Sequence, residues 1–164
     1  MGFEVFLSAY EHGESSEFPL AVVEAAFTAS IKSRSTVHDG SLVLDIEYPV
    51  DEQPALPKVI IFNGKEYPSQ VRDRSTLFVG VCGANGELTD GFMVAGPAGN
   101  TSFYASLLTI LQSAHTALYW SGNGALIIAR EDMRDHLPEE MIETLGAPFI
   151  AKVPEDIKKR IQES

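Results

Sequence analysis

Hydrophobic positions along this chain change their period several times, and each change marks a new element. Phe3, Val5 and Leu7 alternate with Glu4, Phe6 and Ser8, the period of an opening strand. His12 to Ser16 is loop chemistry, and Pro19 stands where a first helical turn tolerates proline. Leu20, Val23, Phe27 and Ile31 then recur at helical spacing, which predicts an amphipathic helix over about 18–31. Ser33 to Gly40 reads as an exposed connection.

A run of strands comes next. Leu42, Leu44, Ile46 and Tyr48 share one parity, with Asp45 and Glu47 on the other, so this strand has a wet face. Pro49 to Pro57 holds three prolines and predicts a loop. Val59 to Phe62 leads into Asn63-Gly64, a hairpin pair because both residues accept positive φ. Leu77–Cys82 and Phe92–Ala95 are further strands, separated by a turn at Ala84-Asn85-Gly86.

Gly96-Pro97-Ala98-Gly99 ends the strand region, and Asn100 or Thr101 can cap a helix. Phe103, Leu107, Ile110, Leu111, Ala114 and Leu118 trace one helical face, widened by Tyr104 and Leu108. This predicts a helix near 100–120 that belongs in a core or an interface. Gly122-Asn123-Gly124 ends it, and Ala125 to Ala129 reads as a buried strand. Leu137 to Gly146 is a helix with acids at its start and a glycine cap. Phe149 to Val153 is a short strand, and Pro154 opens a last helix with Lys158, Lys159 and Arg160 near its end. The pattern predicts one α+β domain over 1–164. Its single antiparallel or mixed sheet has about five to six strands, backed by helices, with a central buried helix near 100–120.

Charge sharpens this picture. Gly91 to Ala129 contains no Asp, Glu, Lys or Arg in a chain that is 21% charged. Charged side chains are rarely buried unpaired, so such a stretch marks backbone enclosed by protein. A membrane span is disfavoured, because Asn100, Gln112, His115 and Asn123 interrupt the stretch and Gly96-Pro97 breaks it.

Over 164 residues the formal net charge is −11. That balance opposes binding to nucleic acid or anionic membranes and favours a basic partner. Met1 to Ile31 carries Glu4, Glu11, Glu14, Glu17 and Glu24 without one Lys or Arg. The single cysteine fits a reducing compartment, and the N-terminus lacks a secretory pattern, so a cytoplasmic location is expected.

Motifs for catalysis are sparse. Cys82 has no basic neighbour in sequence, and His12, His38, His115 and His136 lie in different elements. Gly80, Gly83 and Gly86 lack the spacing of a dinucleotide loop. Trp120-Ser121-Gly122 lacks the glycine that a serine elbow needs two residues before the serine. No histidine pair at i, i+4 and no C-x-x-C occurs, so neither metal nor cofactor is expected. Gly99, Asn100, Thr101 and Ser102 form a helix start that can hold an anion through backbone N–H groups, though no P-loop lysine accompanies them.

Three segments carry a resemblance: Gly2-Phe3-Glu4-Val5-Phe6-Leu7, the passage from Ala117-Leu118-Tyr119-Trp120 to Ile127-Ile128-Ala129, and His136-Leu137-Pro138-Glu139-Glu140-Met141-Ile142. Together they resemble a set of small bacterial proteins with no established activity. The resemblance implies a bacterial origin and this architecture, without a mechanism. Small acidic bacterial proteins of this style are often immunity proteins of toxin systems, which is an analogy. The expectation is a non-enzymatic protein that binds another, basic protein through Glu11, Glu14 and Glu17, with Trp120 as an anchor. The alternatives are a small-ligand binder or enzyme with its pocket at 96–102, and a homodimer through the apolar face of the 100–120 helix.

Overall fold

The computed structural model describes residues 3–49, 58–69 and 72–164. Beyond Pro49, the loop expected over Pro49–Pro57 lies outside them. In chain order the strands are β1 (Glu4–Glu11), β2 (Glu14–Ser15), β3 (Phe18–Pro19), β4 (Ile31–Thr36), β5 (Leu42–Pro49), β6 (Lys58–Phe62) and β7 (Lys65–Ser69). They continue as β8 (Arg72–Val79), β9 (Leu88–Thr89), β10 (Gly91–Ala95), β11 (Thr116–Tyr119), β12 (Leu126–Ile128) and β13 (Phe149–Ile150). The helices are α1 (Leu20–Phe27), α2 (Thr101–Ser113), α3 (Glu139–Leu145) and α4 (Pro154–Gln162).

The alternation at the start of the chain builds the centre of the molecule. β1 buries Val5, Leu7 and Ala9 on one face and turns Phe6, Ser8 and Tyr10 to the other. It lies between β10 and β11 in the order β13-β12-β11-β1-β10-β8-β5-β4, with β2 folded back on β1. Every pair in that sheet is antiparallel except β12 with β13. Register makes the core continuous. Leu7, Phe92, Val79 and Leu42 form one buried row across four strands, and Val5, Val94, Leu77 and Leu44 form the next.

The fold is therefore α+β with a mixed sheet, as the pattern predicts, but that sheet has nine strands rather than five or six, and it is not single: β3 with β9 and β6 with β7 form two separate two-stranded sheets. The segment expected as a connection after Ser33 is the edge strand β4. Its Lys32 to Thr36 side chains are exposed, so burial left no apolar period there to read. The first helix accordingly ends at Phe27, and a 3₁₀ turn over Thr28–Ser30 delivers Ile31 into β4. β7, the paired arm of the hairpin at Asn63-Gly64, is a further strand beyond those the pattern predicts. The turn itself forms as read, with φ of 52° and 74°.

The largest correction concerns the helix near 100–120. α2 stops at Ser113, and Thr116–Tyr119 is a strand paired with β1. Leu118 satisfies both periods: it is four residues from Ala114 on a helix and two from buried Thr116 on a strand. Continuing the helix would leave one edge of the central strand without backbone partners, and β11 supplies them. Within its shorter span α2 is the buried helix that the pattern predicts. Phe103, Leu107, Ile110 and Leu111 are each 0% exposed, and the helix packs against α1 and α4. Its outward stripe is Ser102, Thr109, Gln112 and Ser113. Thr109 and Ser113 return their hydroxyls to backbone carbonyls four residues back, at 3.0 and 2.6 Å, so this wet side needs no charge. The apolar face is spent inside the fold, and a homodimer would need another surface.

α4 closes the layer with Ile157 and Ile161 buried. Its start is fixed by Asp156, whose Oδ2 accepts the N–H groups of Lys152 and Val153 at 2.8 and 3.2 Å. The Lys152 N–H first, then that of Val153, holds the Asp156 carboxyl below the usual range. A lowered folded-state value contributes stability above the unfolded value of about 3.9, lost as pH falls through the folded one. Asp156→Ala should therefore cost about 1 kcal/mol at pH 7 in urea unfolding. The gap from wild type should begin to narrow below about pH 4 and close only as pH falls through the lowered folded-state value.

Candidate functional site

At one end of the central strand the sheet register gathers three histidines and two carboxylates from four segments. Glu11 ends β1. His12 and Gly13 form the tight turn to β2 with φ of 49° and 82°, the left-handed pair that a two-residue hairpin requires. His115 immediately precedes β11, and its carbonyl accepts the Tyr10 N–H at 3.0 Å, which locks it beside Glu11. His136 ends a 3₁₀ segment over Glu131–His136 and is tied to the hairpin tip by the Gly13 N–H on its carbonyl, also 3.0 Å.

Glu11 is the hub. Its Oε1 lies 2.6 Å from His115 Nδ1 and its Oε2 3.3 Å from His136 Nδ1. The His115 hydrogen bond is the main reason the Glu11 carboxyl sits below its usual range. On its far side His115 Nε2 meets Asp132 Oδ2 at 3.3 Å, and Arg130 grips Asp132 with two bonds of 3.0 and 2.8 Å. The His115 and His136 rings stack at 4.2 Å between centroids, and the exposed His12 ring stands 4.8 Å from His136. Donor atoms of Glu11, His115 and His136 all lie within 4.8 Å of one another, a set able to hold a metal ion. His136 is 14% and His115 25% exposed, so the cluster opens to solvent at its Glu11 side.

A second feature occupies the sheet face away from α1, α2 and α4. Cross-strand register places Val43, Phe78, Met93, Phe6 and Tyr119 in one row over five strands. Phe78 is 41% exposed, and the other four are only partly buried. Phe6 and Tyr119 stack at 5.5 Å, and Tyr119 shares a hydrogen bond of 3.0 Å with Ser8. Beside them the Tyr10 hydroxyl is pushed up to about 12, first by burial and then by Tyr119, so it remains a donor at neutral pH. Exposed acids flank the row: Glu4 and Asp45 two residues along their strands on one side, Asp90 on the other. At its Tyr119 end the row runs into a cleft of about 660 Å³ between the Trp120–Asn123 turn and α3, where Glu140, Met141 and Thr144 form the wall.

No family model, curated protein or solved structure matches this chain.

The residues singled out from sequence are dispersed. Glu14 pairs opposite Glu11 on the hairpin, but Glu17 lies instead beside Cys82. Burial, then Glu17 and Asp90, raises the Cys82 thiol, the reverse of what a nucleophile needs. Trp120 is 2% exposed, edge-on to Phe3 at 6.4 Å, so it roofs the core and is not presented as an anchor. Its Nε1 has no hydrogen-bond partner among the described residues. At the start of α2, Asn100 Oδ1 accepts the Ser102 N–H at 2.7 Å, so the chain caps itself there. The neighbour of Gly99 is the Asp73 carboxylate, where an anion would want a cation. Thr101 opens the helix behind them. Among the described residues no helix is long and apolar enough to cross a membrane.

Sequence reasoning missed the histidine cluster because its members stand 104 and 124 residues from their partners. Each borders an element end, which is the one local trace the cluster leaves.

Proposed function

We propose that this is a non-enzymatic binding protein that covers a basic partner protein through its open sheet face, in the manner of an immunity inhibitor. The observation that carries this reading is the row Val43, Phe78, Met93, Phe6 and Tyr119, a partly exposed apolar strip in the middle of a large sheet that no helix among the described residues covers. Interfaces combine an apolar, aromatic centre with a polar rim, and here the rim is acidic. Glu4, Asp45 and Asp90 would meet a cationic surface and speed association, in keeping with the overall charge of −11. Glu11 and Glu14 extend the same sign toward one end of the sheet. Trp120 enters only as part of the lining of the cleft that adjoins the strip.

The test uses the full chain as bait in a lysate of the source organism, with Phe78→Arg beside wild type. Phe78 is 41% exposed, so an arginine can reach solvent there, and the substitution should cost about 1 kcal/mol, too little to unfold the domain. The expected result is a partner of high pI retained by wild type in low salt, released in high salt, and lost from Phe78→Arg. A partner held equally by both baits, or one insensitive to salt, overturns the reading.

A further inference from the structure

We propose that Glu11, His115 and His136 form a binding site for a divalent transition metal of the zinc class, with His12 as a fourth donor from the hairpin tip. Two imidazoles and one carboxylate are the donor set that such ions prefer, whereas magnesium and calcium take oxygen alone.

The hydrogen bonding around the cluster points the same way. Asp132 is fixed by both bonds from Arg130 and accepts the Nε2–H of His115. A carboxylate behind a ligating histidine sets its tautomer and aims the other nitrogen at the metal. The nitrogen so aimed is Nδ1, which hydrogen-bonds the Glu11 carboxylate at 2.6 Å and would bind a metal by giving up that proton. His136 Nδ1 lies 3.3 Å from Glu11 and accepts the His12 N–H at 3.1 Å, a bond that a metal ion would replace. Nitrogen and oxygen donors of three side chains thus converge on one point, held there by hydrogen bonds that a metal ion would displace. A tetrahedral zinc ion with bonds of about 2.0–2.1 Å sets its ligands roughly 3.3 Å apart. The separations at Glu11 are 2.6 and 3.3 Å, and all three donors lie within 4.8 Å of one another, so side-chain rotation brings the set to that edge. His12 lies 4.0 Å from Glu11 on an exposed turn and can close the set by a side-chain rotation.

The experiment uses untagged full-length protein stripped with a chelator, then titrated with Zn²⁺, Co²⁺, Mg²⁺ or Ca²⁺. Zinc at about 100 times its Kd should raise Tm by roughly 5 °C, and magnesium and calcium should not. Cobalt should give a visible absorption band that zinc abolishes. In the wild-type NMR spectrum zinc should move the ring signals of His115 and His136 and leave His38 in place. Glu11→Gln and His115→Gln should each lose roughly tenfold or more in zinc affinity, while His38→Gln should lose none. Absence of the cobalt band in wild type, or zinc perturbing His38 in preference to the cluster, overturns the proposal. So does unchanged affinity in both cluster variants. The spectra need no substitution, so they decide the matter even where a variant fails to fold.

Discussion

Phe103→Ala is expected to lower unfolding free energy by about 3–5 kcal/mol, the cost of emptying a fully enclosed aromatic site. Phe103 is 0% exposed on α2 and packs among other rings from both layers. Phe27 of α1 lies 6.1 Å away, Tyr48 of β5 6.2 Å and Tyr104 5.1 Å, each between ring centroids. Removing it takes the contact between two helices and the sheet together, which neighbouring side chains cannot refill without moving backbone. Total stability for a domain is about 5–15 kcal/mol, so this one change consumes a large share of it. Thr109→Ala, on the exposed stripe of the same helix, should stay within about 0.5 kcal/mol of wild type. Guanidinium unfolding of the two variants checks the pair. A Phe103→Ala midpoint near that of Thr109→Ala would mean that the uncharged segment is not the core.

Gly91→Val should be the most damaging single substitution in the sheet, at about 3 kcal/mol or more. Two separate costs combine there. Gly91 has φ of +138°, where L side chains are strained, and a Cβ would run into the Leu7 carbonyl oxygen on the adjacent central strand. That oxygen is backbone, so relief requires β1 and β10 to part where Ser8 faces Gly91. Gly122 separates the two costs, because it has the same φ of +138° with nothing within 4 Å of its Cβ position. Gly122→Val should lose only the backbone strain, on the order of 1–3 kcal/mol. Equal losses at the two positions, measured by urea unfolding, would show that the close approach of β10 to β1 carries no weight.

The apolar periods of β1, β5, β10 and α2 are legible in the sequence because each repeats over several consecutive residues. The acids at the start of α3 and the cations at the end of α4 are equally plain, since the helix dipole acts within one turn. β4 is not legible, because an edge strand with exposed Ser, Arg and Thr has no apolar period to show. The end of α2 is misread for the opposite reason: Ala114 and Leu118 fit two periods, and only a strand waiting beside them selects one.

What the sequence determined by itself is which stretch lies inside. The want of ionic groups from Gly91 to Ala129 has a local cause, the cost of burying a charge, and the enclosure of β10, α2, β11 and β12 accords with it. Tertiary structure decided everything that depends on register. The pairing of β1 with β11 brings His115 to Glu11, and the hairpin at His12 brings in His136. The same register aligns Phe6, Met93 and Phe78 into one strip. Such meetings join residues far apart along the chain, and no single side chain bears a mark of a neighbour that only folding supplies.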